Sequence, residues 1–266
     1  MKVFISVDME GLTTTTKFEE TEPGDLAYPL HVKQMENEVL AAIEGAKAAG
    51  ATEIFVRDAH NTATNMDPTV MPSGVTLLRR WSGHPYSMAY GIDKSFDAAM
   101  FIGYHSAAGR IGNPMSHTLN GNIGTLTING ILTSEFLLYS YACALEGVPT
   151  VFLSGDKTLC EDSRDMHPKL VTCAVKDASG PLTINYSTKD TIPKIRELVE
   201  KALKQNLSDA LTSLPPYFEA ELRFKQQWMA EKAQWFPNVK RKSDEVVTYS
   251  SDNFFEILRT TNWIIR

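Results

Sequence analysis

The sequence predicts an α/β fold, in which a mostly parallel sheet with flanking helices is followed by a smaller C-terminal α/β lobe. Three short apolar runs, over residues 3–7, 53–56 and 98–102, have no polar face and therefore indicate strands buried on both sides. Helical periodicity separates the first two runs, which makes a βαβ unit. Because such a unit needs a crossover connection, it favours a parallel sheet and the α/β class.

The remaining elements of the core follow in order. Residues 32–49 place apolar side chains at three- and four-residue steps, and Gly50 then provides a C-terminal stop. A second helix is predicted over residues 135–146 and precedes a fourth strand at 149–154. Residues 171–175 are a candidate fifth strand. This alternation of helix and strand is typical of one large α/β unit.

The C-terminal part of the chain has a different pattern. An amphipathic helix is predicted over residues 192–205, and Pro215-Pro216 then breaks the chain. The elements predicted after this break are a strand (217–224), a helix (226–235), a strand (245–250) and a final helix from Asn253. We therefore expect a core domain of residues 1–190 and a lobe of residues 191–266 that packs on the core and serves in assembly.

Composition excludes several classes of protein. The 266 residues are 43% apolar and carry a formal charge of −6, and no basic run is interleaved with aromatic residues, so a nucleic-acid partner is not expected. No segment approaches about 18 uninterrupted apolar residues, so no membrane span is expected. The three cysteines show no CxxC spacing, which argues against a disulfide framework and fits a reducing compartment. The first apolar run is too short for a signal peptide, and we expect a cytoplasmic protein.

Polar side chains with metal-binding ability follow each of the first three strands. Asp8 and Glu10 end the first, Asp58 and His60 the second, and His105 the third. Ligands bind beyond the carboxyl ends of strands in open parallel sheets, and side chains two apart on a strand point the same way. Each residue alone also fits a helix cap or a hydrogen-bonded rim position. Several carboxylates at one edge would, however, repel one another unless a cation lay between them.

Two further residues extend this set. His117 lies on a loop and could act as a general acid or base, although a solvated loop histidine is an equally ordinary interpretation. Glu135 begins a helix, where the helix dipole alone would explain an acidic residue. Carboxylates and imidazoles without thiolates suit zinc, manganese or another borderline divalent ion. Three carboxylates with two histidines exceed one tetrahedral site and suit two ions about 3.5–4 Å apart that activate a shared water.

These blocks resemble those of the DppA-type D-aminopeptidase family, a group of zinc-dependent metallopeptidases. The segment Ser6–Gly11 is similar to the opening signature of that family. Four further blocks follow in the same order, and the similarity extends over nearly the whole chain: Asp58–Asn61, Gly103–His105, Met115–Thr118 and Glu135.

The resemblance implies two Zn²⁺ ions per chain and a role for each ligand. Asp8 would bridge both ions. Glu10 and Glu135 would bind one ion, and His60 and His105 would bind the other. The implied activity is release of N-terminal residues, D-amino acids in the characterised family, from short peptides such as D-Ala-D-Ala through a dizinc-activated water. The implied assembly is a homodecamer of two stacked five-membered rings around an internal channel.

The resemblance also assigns the residues around the ligands. His117 would be the catalytic residue, either as a nucleophile or as an acid or base. Asp58, Asn61 and Ser116 are expected to support the ligands or contact the substrate. The free amine of the peptide would bind near one metal or near an acidic side chain such as Asp58. The segment Leu12–Lys17 departs from the shorter turn expected in the family, and we expect it to line the pocket and affect the preference for D- or L-residues.

Two other functions use the same residues. A binuclear phosphoesterase, or a hydrolase of another amide, would need the same ligand types. Against a phosphoesterase, the sequence has no Gly-rich phosphate loop, and Arg110 is the only basic residue close to the ligand blocks. A binding protein or ring-forming scaffold that retains an ancestral site is the third possibility, and the complete ligand set argues against it.

Overall fold

The computed structural model describes residues 1–266 and contains two β-sheets. A seven-stranded sheet has the order β3-β2-β1-β4-β7-β8-β9, and a five-stranded sheet has the order β11-β12-β10-β5-β6. The strands are β1 (Lys2–Val7), β2 (Glu53–Asp58), β3 (Val75–Leu78), β4 (Ala98–Tyr104), β5 (Ile123–Ile128), β6 (Ile131–Leu132), β7 (Thr150–Asp156), β8 (Val171–Ser179), β9 (Leu182–Asn185), β10 (Phe218–Phe224), β11 (Lys240–Arg241) and β12 (Val246–Ser251).

Six α-helices surround the sheets, and the predicted α/β fold is confirmed. The seven-stranded sheet is parallel except for its last pair, β8 and β9, whereas every pair in the five-stranded sheet is antiparallel. No helix is both long and apolar enough to cross a bilayer. The helices are α1 (Tyr28–Ala48), α2 (Glu135–Leu145), α3 (Lys157–Met166), α4 (Thr188–Lys204), α5 (Gln227–Ala233) and α6 (Phe254–Ile264).

The two faces of the parallel sheet are buried in separate hydrophobic clusters. Alternate residues of β1, such as Ile5, pack with Val39 of α1 and Val199 of α4 on one face. The residues between them, such as Phe4, belong to the cluster that includes Phe136 of α2 and the five-stranded sheet on the other face. Burial on both faces explains why these strands have no polar alternation in the sequence.

The boundary predicted at residue 190 does not coincide with the structure. Helix α4 packs against α1 and contributes Ile195 and Val199 to the cluster under the parallel sheet. Strands β5 and β6, which precede residue 190, join the C-terminal strands, because β5 pairs with β10. The second sheet therefore combines an insertion of the core region with the C-terminal segment, and α4 belongs to the core.

A close approach of two backbones fixes the carboxyl edge of the sheet. The amide of Gly11, beyond the end of β1, donates to the carbonyl of Gly103 in β4 at 2.8 Å. A Cβ atom at Gly11 would lie 1.8 Å from the carbonyl oxygen of Tyr104, so only glycine permits this contact. Gly103 has a φ of +72°, and a Cβ atom at this position would likewise collide with the carbonyl oxygen of Asp8. The contact holds the turn after β1 against the end of β4, directly before His105.

Candidate metal centre

The end of β1 delivers two carboxylates to one imidazole. Asp8 and Glu10 follow the last residue of β1 and are both buried. His60, two residues after the end of the neighbouring strand β2, places Nδ1 at 3.1 Å from Asp8 Oδ1 and at 3.1 Å from Glu10 Oε2. The parallel pairing of β1 with β2 brings the three side chains together, as their positions in the sequence predicted.

The adjacent strand and helix complete the cluster. His105 follows β4, and its Nε2 lies 3.5 Å from Asp8 Oδ2 and 3.5 Å from Glu135 Oε2. Glu135 is the first residue of α2, after the N-cap Ser134, and is buried. His117 stacks on His105 with ring centroids 4.3 Å apart, and its Nε2 lies 3.7 Å from Glu135 Oε1. Asp8 thus directs one oxygen to each of two histidines.

Backbone carbonyls orient the three histidines. His60 Nε2 lies 3.0 Å from the carbonyl oxygen of Thr21, and His105 Nδ1 lies 3.0 Å from that of Ser106. His117 Nδ1 lies 2.9 Å from the carbonyl oxygen of Met115. A carbonyl accepts only from a protonated nitrogen, so each contact leaves the opposite ring nitrogen to face the carboxylates. Metal-binding histidines are oriented by this kind of partner.

Buried polar atoms without partners show that the cluster fits a cation. Asp8 Oδ2, Glu10 Oε2 and His105 Nε2 are all inaccessible to solvent, and none makes a well-oriented hydrogen bond even though charged neighbours lie 3.1–3.5 Å away. Such atoms are costly to bury unless something binds them. Two groups of three residues have ligand atoms within 4.8 Å of one another, namely Asp8, Glu10 and His105, and His105, His117 and Glu135. Carboxylate oxygens and imidazole nitrogens without thiolates match zinc chemistry.

The electrostatics of the protein alone support the same interpretation. Burial and the neighbouring charge of Glu10 raise the pKa of Asp8 to about 8. Burial opposes the charged form of His105, yet the carboxylates of Glu135, Glu10 and Asp8 together outweigh it and raise the pKa of His105 to about 10. The pKa of His60 is likewise raised well above its usual value, because Glu10 and Asp8 outweigh the effect of burial. Protons on the two histidines and on Asp8 therefore offset the repulsion among the carboxylates near neutral pH, and metal binding would release them.

Of the three residues expected to support the ligands or contact the substrate, only Asn61 lies in the cavity wall. Asp58 is fully buried and accepts hydrogen bonds from the amides of Asn65 and Met66, so the expectation that it receives a substrate amine is wrong. Unlike His60, it does not line the cavity described below. Ser116 donates to the carbonyl of Asn113 and does not line that cavity.

The segment after Gly11 is anchored by two buried charged residues that the sequence interpretation missed. Lys176 of β8, only 1% exposed, donates from Nζ to the carbonyls of Glu10 and Thr15. Glu38 of α1 is fully buried and accepts from the amide and the hydroxyl of Thr13 at 3.0 and 2.7 Å. Glu38 stands on the buried side of an amphipathic helix, which is the signal that could have identified it.

The expectation that these threonines line the pocket is therefore incorrect. Thr13 and Thr15 are fully buried; the hydroxyl of Thr13 binds Glu38, and the carbonyl of Thr15 accepts from Lys176. The same segment instead brings Phe18 and Glu22, further along, into the wall of the cavity. The ring centroid of Phe18 lies 5.6 Å from that of His117.

The cluster lies at the base of a cavity of about 620 Å³. The side chain of His117 is 15% exposed, whereas those of the other five cluster residues are between 1 and 6% exposed. His117 is therefore the cluster member most accessible from the cavity. All cluster residues except His105 line the cavity. The rest of the wall comes from the segment after β1, the turn after β2, residues 81–88, residues 119–121 and the C-terminal residues Asn262, Ile265 and Arg266.

A parallel α/β sheet with buried carboxylates and imidazoles beyond its strand ends defines a metal-dependent hydrolase. The chain belongs to the D-aminopeptidase family (Peptidase_M55), whose family model matches residues 1–263. The resemblance of the sequence blocks to this family is thereby confirmed.

Two relatives show how far the similarity extends. A D-aminopeptidase of Bacillus subtilis (strain 168) is 30% identical over 178 residues, which cover 66% of this chain and 64% of that protein. This alignment thus spans just under two thirds of the curated relative. The solved structure described as Zn-dependent D-aminopeptidase DppA from Bacillus subtilis, a self-compartmentalizing protease, superimposes with a TM-score of 0.92 at 26% identity. That match covers 100% of this chain and 97% of the other.

If the cluster binds zinc, zinc should stabilise the folded protein through Asp8. At a free concentration of about 100 times its dissociation constant, a ligand of the folded state adds about 2.7 kcal/mol per site. We expect zinc to raise the unfolding temperature of the metal-free protein by several degrees and Asp8→Asn to lose most of this increase. The exposed Asp165→Asn variant serves as the control and should keep it. An equal zinc-induced increase in the Asp8→Asn variant, measured by calorimetry, would contradict the site.

Proposed function

We propose that this chain is an aminopeptidase that removes the N-terminal residue, a D-amino acid, from short peptides such as D-Ala-D-Ala. The observation that carries the proposal is the convergence of buried carboxylates and histidines with unpartnered atoms at the base of an open cavity. Its volume of about 620 Å³ is within the range of small-molecule sites and suits a short peptide. The descriptions of the family and of both relatives support this activity.

We further propose that two zinc ions bind per chain. Asp8 would bridge them, because it is the only carboxylate that lies within 3.5 Å of both His60 and His105. Glu10 and Glu135 would bind one ion, and His60 and His105 would bind the other. When bound, zinc supplies Lewis acidity that polarises a scissile carbonyl and lowers the pKa of a water molecule.

His117 would move the proton that peptide cleavage requires. Its Nδ1–H is held by the carbonyl of Met115, so Nε2 is free to exchange a proton. Nε2 faces Glu135 and is more exposed than the other cluster residues, and so it can reach a substrate in the cavity. In this role His117 protonates the leaving amine or stabilises the tetrahedral intermediate. Because His117 also lies among possible ligand atoms, its role must be tested against metal binding.

We also propose that the subunits form a homodecamer in the cytoplasm. The solved relative is described as self-compartmentalizing. Trp228, Trp235 and Trp263 are between 57 and 78% exposed in the single chain, and large aromatic residues are enriched at protein interfaces. A mass measurement by light scattering should give about ten subunits, and a stable monomer would contradict this assembly.

A phosphoesterase is less well supported by the structure. The guanidinium of Arg110, which lies between two of the ligand blocks in the sequence, forms two 2.8 Å hydrogen bonds with Asp162. It is therefore engaged on the protein surface rather than directed at a phosphate. A generic phosphate ester remains the appropriate comparison substrate.

The proposed activity predicts a clear order among substrates. Zinc-loaded protein should hydrolyse D-Ala-D-Ala with a kcat/KM at least about tenfold above that for L-Ala-L-Ala, a difference of about 1.4 kcal/mol in the transition state. No turnover of p-nitrophenyl phosphate is expected. Product release should be followed by chromatography, with the zinc content of each sample measured. Faster cleavage of L-Ala-L-Ala would refute the stereochemical part, and phosphatase activity alone would refute the proposed reaction.

A substitution at His117 separates catalysis from metal binding. His117→Ala should lower kcat by at least about 100-fold, because a positioned acid or base contributes roughly 10²–10⁴-fold. Its zinc content should stay near two per chain, as determined by elemental analysis. Retention of full activity would remove the catalytic role, whereas a loss of one zinc together with activity would make His117 a ligand instead.

A further inference from the structure

The cavity wall contains one carboxylate that does not belong to the metal cluster. Its acidic lining residues are Asp8, Glu10, Glu135 and Glu22, and the first three converge on the histidines. Glu22 is exposed in the wall and forms no ion pair with any basic side chain of the chain. A carboxylate that lies in a substrate cavity and has no ion-pair partner is suited to bind a positively charged group of the ligand.

Two contacts fix Glu22 beside the metal cluster. The carbonyl of the preceding residue, Thr21, accepts from Nε2 of His60 at 3.0 Å. Asn61, which follows His60 in the chain, donates from Nδ2 to Glu22 Oε2 at 2.6 Å. Two consecutive residues of the segment therefore bind two consecutive residues of the turn after β2. Oε1 of Glu22 has no hydrogen-bond partner and is left to receive another donor.

The support for this arrangement extends into the protein interior. Lys176 and Glu38 hold the start of the segment through Thr15 and Thr13. Glu20 accepts from the amide of Thr16 at 2.7 Å. A side chain held by such a framework loses little conformational freedom when it binds a ligand, which favours its use in recognition.

The chemistry of an N-terminal residue explains what Glu22 would bind. The α-ammonium group and the scissile carbonyl carbon of that residue are both attached to one carbon atom. An enzyme that acts on this carbonyl therefore meets the ammonium group immediately beside its reaction centre. A carboxylate at that place forms a charge-assisted hydrogen bond with the ammonium and excludes peptides that lack it.

We propose that Glu22, oriented by Asn61, binds the α-ammonium group of the substrate and thereby makes the enzyme specific for free N-termini. This inference rests on the proposed aminopeptidase function. Substrate recognition is thereby assigned not to Thr13–Thr16, none of which lines the cavity, but to the part of the same segment that reaches the cavity.

A pair of zinc-binding probes tests this role without turnover. D-Alanine hydroxamate and propionohydroxamic acid carry the same zinc-binding group and differ by the α-ammonium, so the ratio of their dissociation constants reports the amine contact. Zinc-loaded wild-type protein should bind the first probe at least about tenfold more tightly, as expected for one charge-assisted hydrogen bond in a partly exposed site. Glu22→Gln should reduce this ratio to near one at unchanged zinc content.

A matched control variant lies on the same segment. Glu19 is exposed and lies outside the cavity wall, so Glu19→Gln removes the same charge without touching the proposed contact and should keep the wild-type ratio. In turnover assays with D-Ala-D-Ala, Glu22→Gln should raise KM about tenfold and change kcat much less, because the lost contact acts in binding.

The outcomes separate this inference from the proposed function. A wild-type ratio near one, or an unchanged ratio in Glu22→Gln, would refute the role of Glu22. An equal loss in Glu19→Gln would also refute it, because the effect would then be one of general charge. If wild-type protein shows the ratio but hydrolyses no peptide, the aminopeptidase proposal fails while the ammonium site stands.

Discussion

The repulsion among three buried carboxylates is the constraint on which the rest of the structure depends. Asp8, Glu10 and Glu135 converge where solvent cannot screen them, and burial of like charges is unfavourable without a compensating positive charge. In the protein alone, protonated His60 and His105 provide this charge, and a proton on Asp8 lowers the repulsion further. Two divalent ions would supply more positive charge and would displace those protons. The burial of three carboxylates, which is unfavourable for folding, therefore favours metal binding.

Much of the metal centre could be predicted from the sequence because strand ends identify it. Asp8, His60 and His105 each follow a run of buried residues, and a parallel sheet brings such ends to a single edge. Asp58 shows the limit of this reasoning. Alternation along a strand holds only while the strand continues, and β2 ends at Asp58, which therefore serves the turn that carries His60.

The features that the sequence did not predict depend on contacts between distant parts of the chain. Lys176 lies 166 positions from Glu10, whose carbonyl it binds, and nothing local distinguishes it from a solvated lysine. Strand β5 pairs with β10 across the predicted domain boundary, and such pairing has no periodic signature. The α/β class and most core elements follow from local patterns, whereas the second sheet and the anchors of the segment after β1 follow from tertiary packing.

The segment after β1 connects the two tasks of the site. At its start, Lys176 and Asn113 both bind the carbonyl of Glu10 and so fix a proposed ligand. At its end, Thr21 orients His60, and the next residue enters the cavity. Glu10 and Thr21 are thus constrained because each contacts the metal cluster or belongs to it. The exposed residues between and beyond them have no such constraint. Substitutions at such exposed positions can therefore change which peptide is accepted while the geometry around the ions is kept.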